Sequence, residues 1–290
     1  MKTILRLTLV TCLALASLGG CSKNDTSPQS AEPGKVISTP AYEKYFGTEP
    51  TVDKGTAYAF VIFFPSAKTP GKVVPFPFFT FDEASIMKVA MERLLVGMTI
   101  GSYQGEFAAL PSGSRLLAIK NEQGTVTVNV SKELFAVTDK SINGATATAI
   151  GLTVRQFKGV ENVRVLVEDT DSSLSNAAQA ADDSTVQEPS PPRLLSVTAM
   201  RDKGAKVVED VNAFFDRPVE VRELKLLFEN GQRAPGDLYH SVFDMAAVLK
   251  PKDPTQFREK MPIRVLWKVT DKRGRQAEGD SVWPLAVQEH

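Results

Sequence analysis

Cysteine and histidine are nearly absent from this chain: its 290 residues hold two of each, Cys12, Cys21, His240 and His290. Zinc sites draw mostly on these two residue types, so a zinc enzyme is excluded. Ser-His and Cys-His catalysis needs a histidine beside the nucleophile. Only His240 qualifies, and the stretch Pro235-Gly-Asp-Leu-Tyr-His240 reads as a surface loop. An excess of one charge is missing too: 34 basic residues balance 34 acidic ones, so no basic nucleic-acid surface is expected. No phosphate-binding loop, Gly-x-Ser-x-Gly elbow, His-Glu-x-x-His helix or dinucleotide fingerprint occurs. The one strongly apolar run, residues 7–18, is too short for a membrane span of about 20 residues.

That run is nevertheless informative. It follows Lys2 and Arg6 and ends in Leu18-Gly-Gly-Cys21, giving a charged start, an apolar stretch and small residues before a cleavage point. The pattern resembles a bacterial lipoprotein signal. The resemblance implies removal of residues 1–20 and acylation of Cys21, which then becomes the first residue. The mature protein would be exported and held to a membrane by lipid, without a disulfide, since Cys12 is removed. Ser22 follows the cysteine, which implies the outer membrane, facing the periplasm, if the host has two membranes, and otherwise the outer face of the cell membrane. Residues 21–53 are rich in Ser, Thr, Pro, Glu and Lys and are expected to form a flexible tether.

Residues 54–168 alternate between extended and helical patterns. Residues 57–64 and 72–81 read as strands, and Pro75 and Pro77 place the second at a sheet edge. Thr80 and Glu83 have capping-box spacing before a helix with Ile86, Met87, Ala90, Met91, Leu94 and Leu95 on one face, stopped by Gly97. Residues 115–120 and 125–130 form a hairpin around residues 121–124. A second helix is expected over residues 145–157, capped by Asn143 and followed by Gly159. Residues 162–168 alternate with Val163, Val165 and Val167 inward. The order is β-β-α-β-β-α-β, with two helices on one face of a small sheet, an α+β domain.

Residues 169–192 are acidic and polar and end in prolines, so they read as a disordered interdomain linker. Asp169-x-Asp171-x-Ser173 opens like a calcium loop, but Leu174 and Ala180 occupy the positions that need Gly and Glu. Residues 193–290 read as all β. Expected strands cover residues 194–200, 206–215, 219–228, 242–249, 263–270 and 281–287, which suggests an Ig-like β-sandwich with Trp267 as a core anchor.

Several ordered segments of the first domain resemble the GerMN family, named for bacterial sporulation and spore-germination proteins. They are Ala59-Phe-Val-Ile-Phe-Phe64, Met91-Glu-Arg-Leu-Leu-Val-Gly97, Gly124-Thr-Val-Thr-Val-Asn-Val130, Ala149-Ile-Gly-Leu-Thr-Val-Arg-Gln-Phe157 and Val160-Glu-Asn-Val-Arg-Val-Leu-Val167. The family's Gly-Pro after the Leu-Leu pair is replaced by Gly97-Met98. The resemblance implies a small α+β module, often lipid-anchored, often followed by an Ig-like domain, and not enzymatic as a class. In the last domain Val265-Leu-Trp-Lys-Val-Thr-Asp-Lys-Arg-Gly274 and Gly279 are more distantly similar to the closing strands of Ig-like copper-resistance modules, but Arg275 stands where those carry a histidine ligand, so copper binding is not implied.

The chain is therefore expected to be a non-enzymatic, lipid-anchored envelope protein without cofactors. It would act as an interaction or scaffold module in sporulation, germination or envelope assembly. Its expected partners are the membrane and envelope proteins or further copies of itself, with no nucleic acid; strand addition at residues 73–79 is one route. The alternative is a peptidoglycan-binding lipoprotein, with Tyr103, Phe107 and Tyr239 lining a groove.

Overall fold

Strand β2 (Thr56–Pro65) is buried along nearly its whole length, as its aromatic and branched sequence requires. The computed structural model describes residues 34–98, 105–135 and 140–289. In it β2 lies between β1 (Lys35–Ser38), parallel to its first half, and β3 (Val73–Thr80), antiparallel. β3 is an edge strand, as its prolines indicate. The second half of β2 has no strand on its other side. There helix α3 (Lys140–Arg155) and the residue after it supply side chains instead. Thr153 Oγ1 accepts from the Phe63 N–H at 3.1 Å. The Gln156 carboxamide accepts from the Val61 N–H at 2.8 Å and donates to its carbonyl at 2.5 Å. It takes the place of a strand residue and satisfies both backbone groups of Val61.

A second sheet runs β4 (Leu116–Glu122), β5 (Thr125–Val130), β6 (Asn162–Val167), β7 (Thr170–Asp171), in that order. The β4–β5 hairpin turns on Gln123 and Gly124, with φ of 49° and 80°, the double left-handed geometry of a type I′ turn. Val126, Val128, Val130, Val163 and Val165 all point into the core. With α2 (Ile86–Val96) the expected β-β-α-β-β-α-β order is present.

Three local expectations fail. The strands form two sheets rather than one, because the Thr153 and Gln156 side chains occupy the β2 edge that a joined sheet would need. The capping box does not form: Glu83 accepts from the Tyr58 hydroxyl, Ser85 bonds Asp82, and α2 begins only at Ile86. Helix α3 begins at Lys140, which puts Asn143 inside it.

Two segments expected to be unstructured are folded. Residues 34–53, the described part of the expected tether, contain β1 and α1 (Pro40–Phe46). Thr39 caps α1 by accepting from the Tyr42 N–H, Pro40 sits where a missing N–H costs nothing, and Gly47 ends it at φ 85°. Tyr42, Tyr45 and Phe46, at spacing i, i+3, i+4, are all buried. Residues 169–192, expected to be a disordered linker, contain α4 (Leu174–Ala180). Its small residues permit close approach: a Cβ on Gly151 of α3 would lie 2.1 Å from the Ala178 carbonyl oxygen. The Gln179 and Ser175 side chains accept from the Val163 and Val165 N–H groups and close the free edge of β6.

The last part is a sandwich of two sheets. β10 (Val219–Leu227), β13 (Pro262–Asp271) and β14 (Gln276–Pro284) form one. β11 (Gly236–His240), β12 (Ala246–Pro251), β9 (Asp210–Phe215), β8 (Leu194–Arg201) and β15 (Ala286–Glu289) form the other, in that order. Alternate residues such as Val211, Ala213, Ile263, Val265 and Val269 meet between them. The expected strand over residues 281–287 is two strands, since the chain crosses from one sheet to the other at fully buried Leu285. Residues 235–240, expected as a loop, contain strand β11.

The α3–α4 approach gives a direct check. Gly151→Ala is expected to cost about 1–3 kcal/mol by overpacking, lowering the melting temperature by several degrees. Gly144→Ala in the same helix, where a Cβ meets nothing within 4 Å, is expected to be neutral or stabilising. Calorimetry of the two variants tests this; equal effects would contradict the packing.

Candidate functional site: the seam between the two halves

Helix α1 belongs to the first half, yet its C-terminus is built into the sandwich. Arg275 donates from Nη2 to the Tyr45 carbonyl at 2.8 Å and from Nε to Asp271 at 2.6 Å. The Arg217 guanidinium lies over the Phe46 ring, 5.6 Å from its centroid. Arg217 also grips Asp216 through two bonds of 3.0 and 2.9 Å and faces Asp271 at 3.6 Å. Two arginines and two aspartates thus balance their charge in a site where Asp216, Arg217 and Asp271 are buried. A Cβ on Gly47 would lie 2.7 Å from the Lys272 carbonyl oxygen, so the helix cap admits only glycine on two counts, close approach and positive φ.

A second contact comes from the turn before β12. Phe243 and Asp244 adopt left-handed backbone, φ 65° and 54°, which costs on the order of 1–3 kcal/mol per residue. The turn is held from several directions. The Phe243 ring stacks on Phe79 of β3 at 4.5 Å and 11°, with Phe81 at 5.5 Å. Its N–H donates to the Thr51 carbonyl at 3.3 Å, and Asp244 pairs with Lys272 at 3.1 Å. A third contact is the Arg193–Glu106 ion pair at 2.7 Å. On its far side α1 is fixed by Asp183, which accepts from Tyr45 and pairs with Lys44. These two partners, Lys44 first, hold the Asp183 carboxyl below its ordinary range, while burial pushes the Tyr45 phenol upward.

The residues singled out by sequence are scattered. Cys21 and Tyr103 lie outside the described residues. Phe107 packs edge-on against Phe64 and Phe76 in the first core, whereas Tyr239 is exposed on β11 of the sandwich, so they line no common groove. His240 is also exposed on β11. Trp267 packs edge-on against Phe215 and covers Gly279, as a core anchor would. Asp169 accepts from Asn129 at 2.7 Å, and Asp171 is held by both nitrogens of an Arg164 fork, which keeps its carboxyl below the usual range. Arg275 is engaged in the seam. Among the described residues, no group of three or more His, Cys, Asp or Glu could hold a metal ion. None of their helices is long and apolar enough to cross a membrane.

The edge of β3 is poorly suited to strand addition. Val61 and Phe63 turn their backbone groups toward α3, so their partners Pro77 and Pro75 face outward, where they offer no N–H. The Val73 carbonyl already accepts from Gln187. Sequence reasoning missed the seam because its charges are far apart in the chain; the i, i+3, i+4 aromatics of α1 were the available signal.

Residues 61–173 match the family model described as Germane: Sporulation and spore germination. Among solved structures, the chain is similar to the tandem GerMN domains of the sporulation protein GerM from Bacillus subtilis, at 18% identity and a TM-score of 0.34. That match covers 39% of this chain and 40% of the other, so this chain spans well under half of that structure. A putative lipoprotein from Clostridium perfringens is 19% identical with a TM-score of 0.28, over 39% of this chain and 76% of that one. CopC from Methylosinus trichosporium OB3b is 14% identical with a TM-score of 0.23, over 33% and 89%. A comparison with curated proteins gives no match.

Removing Arg275 strips buried Asp271 of one partner and α1 of a hydrogen bond, a loss of about 3 kcal/mol. Combined with Phe243→Ala, Arg275→Ala is expected to split one calorimetric unfolding transition into two, one for each half. A single transition in the double variant would show that the halves are coupled by something else.

Proposed function

We propose that this chain, whose residues 61–173 form a GerMN-type domain of the sporulation and germination family, is a lipid-anchored, non-enzymatic interaction module of the cell envelope. The observation that carries this reading is the seam. A GerMN-type domain and a β-sandwich share buried contacts, and residues 32–290 make one compact unit. The charged residues of the seam, Asp216, Arg217, Asp271 and Arg275, are paired with one another. Such a body suits the presentation of surfaces to partners in sporulation, germination or envelope assembly.

Cys21 is the proposed attachment point. Strand β1 begins at Lys35, and the length of chain between it and Cys21 sets an upper bound of about 50 Å on its distance from the lipid. The module would work near its membrane: the outer one, facing the periplasm, in a host with two, and otherwise at the outer face of the cell membrane.

Two measurements test the proposal. Metabolic labelling with a fatty-acid analogue is expected to mark the wild-type chain and not Cys21→Ala, which should also leave the membrane fraction; label retained in the variant would refute the anchor. Crosslinking in cells followed by affinity purification is expected to recover a small set of envelope proteins or multimers of the chain. Recovery of wall fragments alone would replace the scaffold reading with peptidoglycan binding.

A further inference from the structure

Strand β11 is an open edge, and its neighbours show how unusual that is here. β3 faces outward with prolines. β4 carries a bulge at Leu117, and β10 another at Arg222. β14 bears Glu278 and Asp280 and ends in Pro284. At the opposite edge of β11's own sheet, the Val287 N–H of β15 is covered by the Glu259 carboxylate at 2.6 Å. These are the devices by which proteins prevent edge-to-edge association. β11 has no proline and no bulge, and its one acidic residue, Asp237, is at a position whose backbone faces β12.

The register fixes which of its backbone groups are free. Lys252 N–H donates to the Pro235 carbonyl, and Ser241 N–H to the Ala246 carbonyl, so odd-numbered residues face β12. Gly236, Leu238 and His240 therefore turn their N–H and C=O groups away from the sheet, and none of these groups has a hydrogen-bond partner in the structure. Leu238 is 43% exposed and Tyr239 54%. Leu238 sits opposite Leu249, which is buried between the sheets, so its side chain lies on the core side at the open lateral end of the sandwich.

We propose that β11 pairs antiparallel with β11 of a second copy of this chain, about a two-fold axis at Leu238. The segment is self-complementary in that register. Gly236 meets the partner's His240, Leu238 meets the partner's Leu238, and every outward N–H and C=O of the three residues finds an acceptor or donor. On the outer face Asp237 falls opposite the partner's Tyr239, so no like charges are opposed. On the inner face the two Leu238 side chains meet and extend the sandwich core of one copy into the other. The interface is isologous and closes at two chains. It joins two five-stranded sheets into one and needs neither the lipid nor any other partner, so it stands independently of the proposed function.

Leu238→Pro isolates the effect. It removes an N–H that points away from β12, so the ladder within the chain is untouched. Light scattering of the purified full-length chain, in the detergent that extracts it, is expected to give a protein mass twice that of one chain. Leu238→Pro is expected to give a single-chain mass with its thermal transition preserved. A wild-type mass of one chain at all accessible concentrations would overturn the proposal, as would a dimeric Leu238→Pro. Should the proline variant lose its thermal transition, Leu238→Lys, which keeps the N–H and places a charge at the two-fold axis, is read in the same way.

Discussion

The seating of α1 against the sandwich is the constraint on which the rest of the molecule depends. Seven residues, Pro40–Phe46, bury three aromatic side chains in the first half and end where a glycine touches the β13–β14 turn. The helix gives the Tyr45 carbonyl and the face of Phe46 to two arginines that are themselves neutralised by Asp216 and Asp271. Burying Asp216, Arg217 and Asp271 is worthwhile only if they stay paired, because an unpaired buried charge costs several kcal/mol. The β13–β14 turn is closed by its own bonds to Asp271, and α1 docks on a surface that the sandwich already holds in place. In the strained Phe243 turn the left-handed backbone is maintained by stacking on the other half.

A second theme is how the fold treats strand edges. In the first half they are closed by side chains rather than by further strands. Gln156 and Thr153 seal β2, while Gln179 and Ser175 seal β6. This device splits what could be one sheet into two and lets α3 and α4 lie between strands as structural equivalents of a strand. In the sandwich β10 is bulged, β14 carries Glu278 and Asp280 and β15 is covered by a carboxylate, whereas the outward backbone groups of β11 are uncovered. The uncovered backbone of β11 departs from the treatment of these edges.

The parts legible in the sequence were those with strong local periodicity or punctuation. The alternating valines of β5 and β6, the helical spacing of α2 and its Gly97 stop, and the paired prolines of β3 all correspond to what they suggested. The family match over residues 61–173 agrees with the resemblance carried by those same segments. What failed was composition used as a stand-in for order. α1 is only seven residues long and sits among Glu, Lys, Thr and Pro, so its buried face was hidden by polar neighbours. α4 is built from Ala, Ser, Asn and Gln, which look like a solvated linker until Gly151 provides a surface close enough for small residues to pack. β11 contains Gly and Asp and reads as a loop. The seam could not be inferred at all, because Asp216 and Arg217 meet Asp271 and Arg275 only in space.

The account rests on α1 being folded and docked rather than part of a tether, and native-state hydrogen exchange at its backbone amides tests that most directly. The Glu43 and Gly47 amides, which donate to the Thr39 and Glu43 carbonyls, are predicted to exchange slowly, with protection comparable to the buried strand β2. Exchange of these amides at the rate of an unstructured chain, while β2 stays protected, would contradict the seam as the element that joins the two halves.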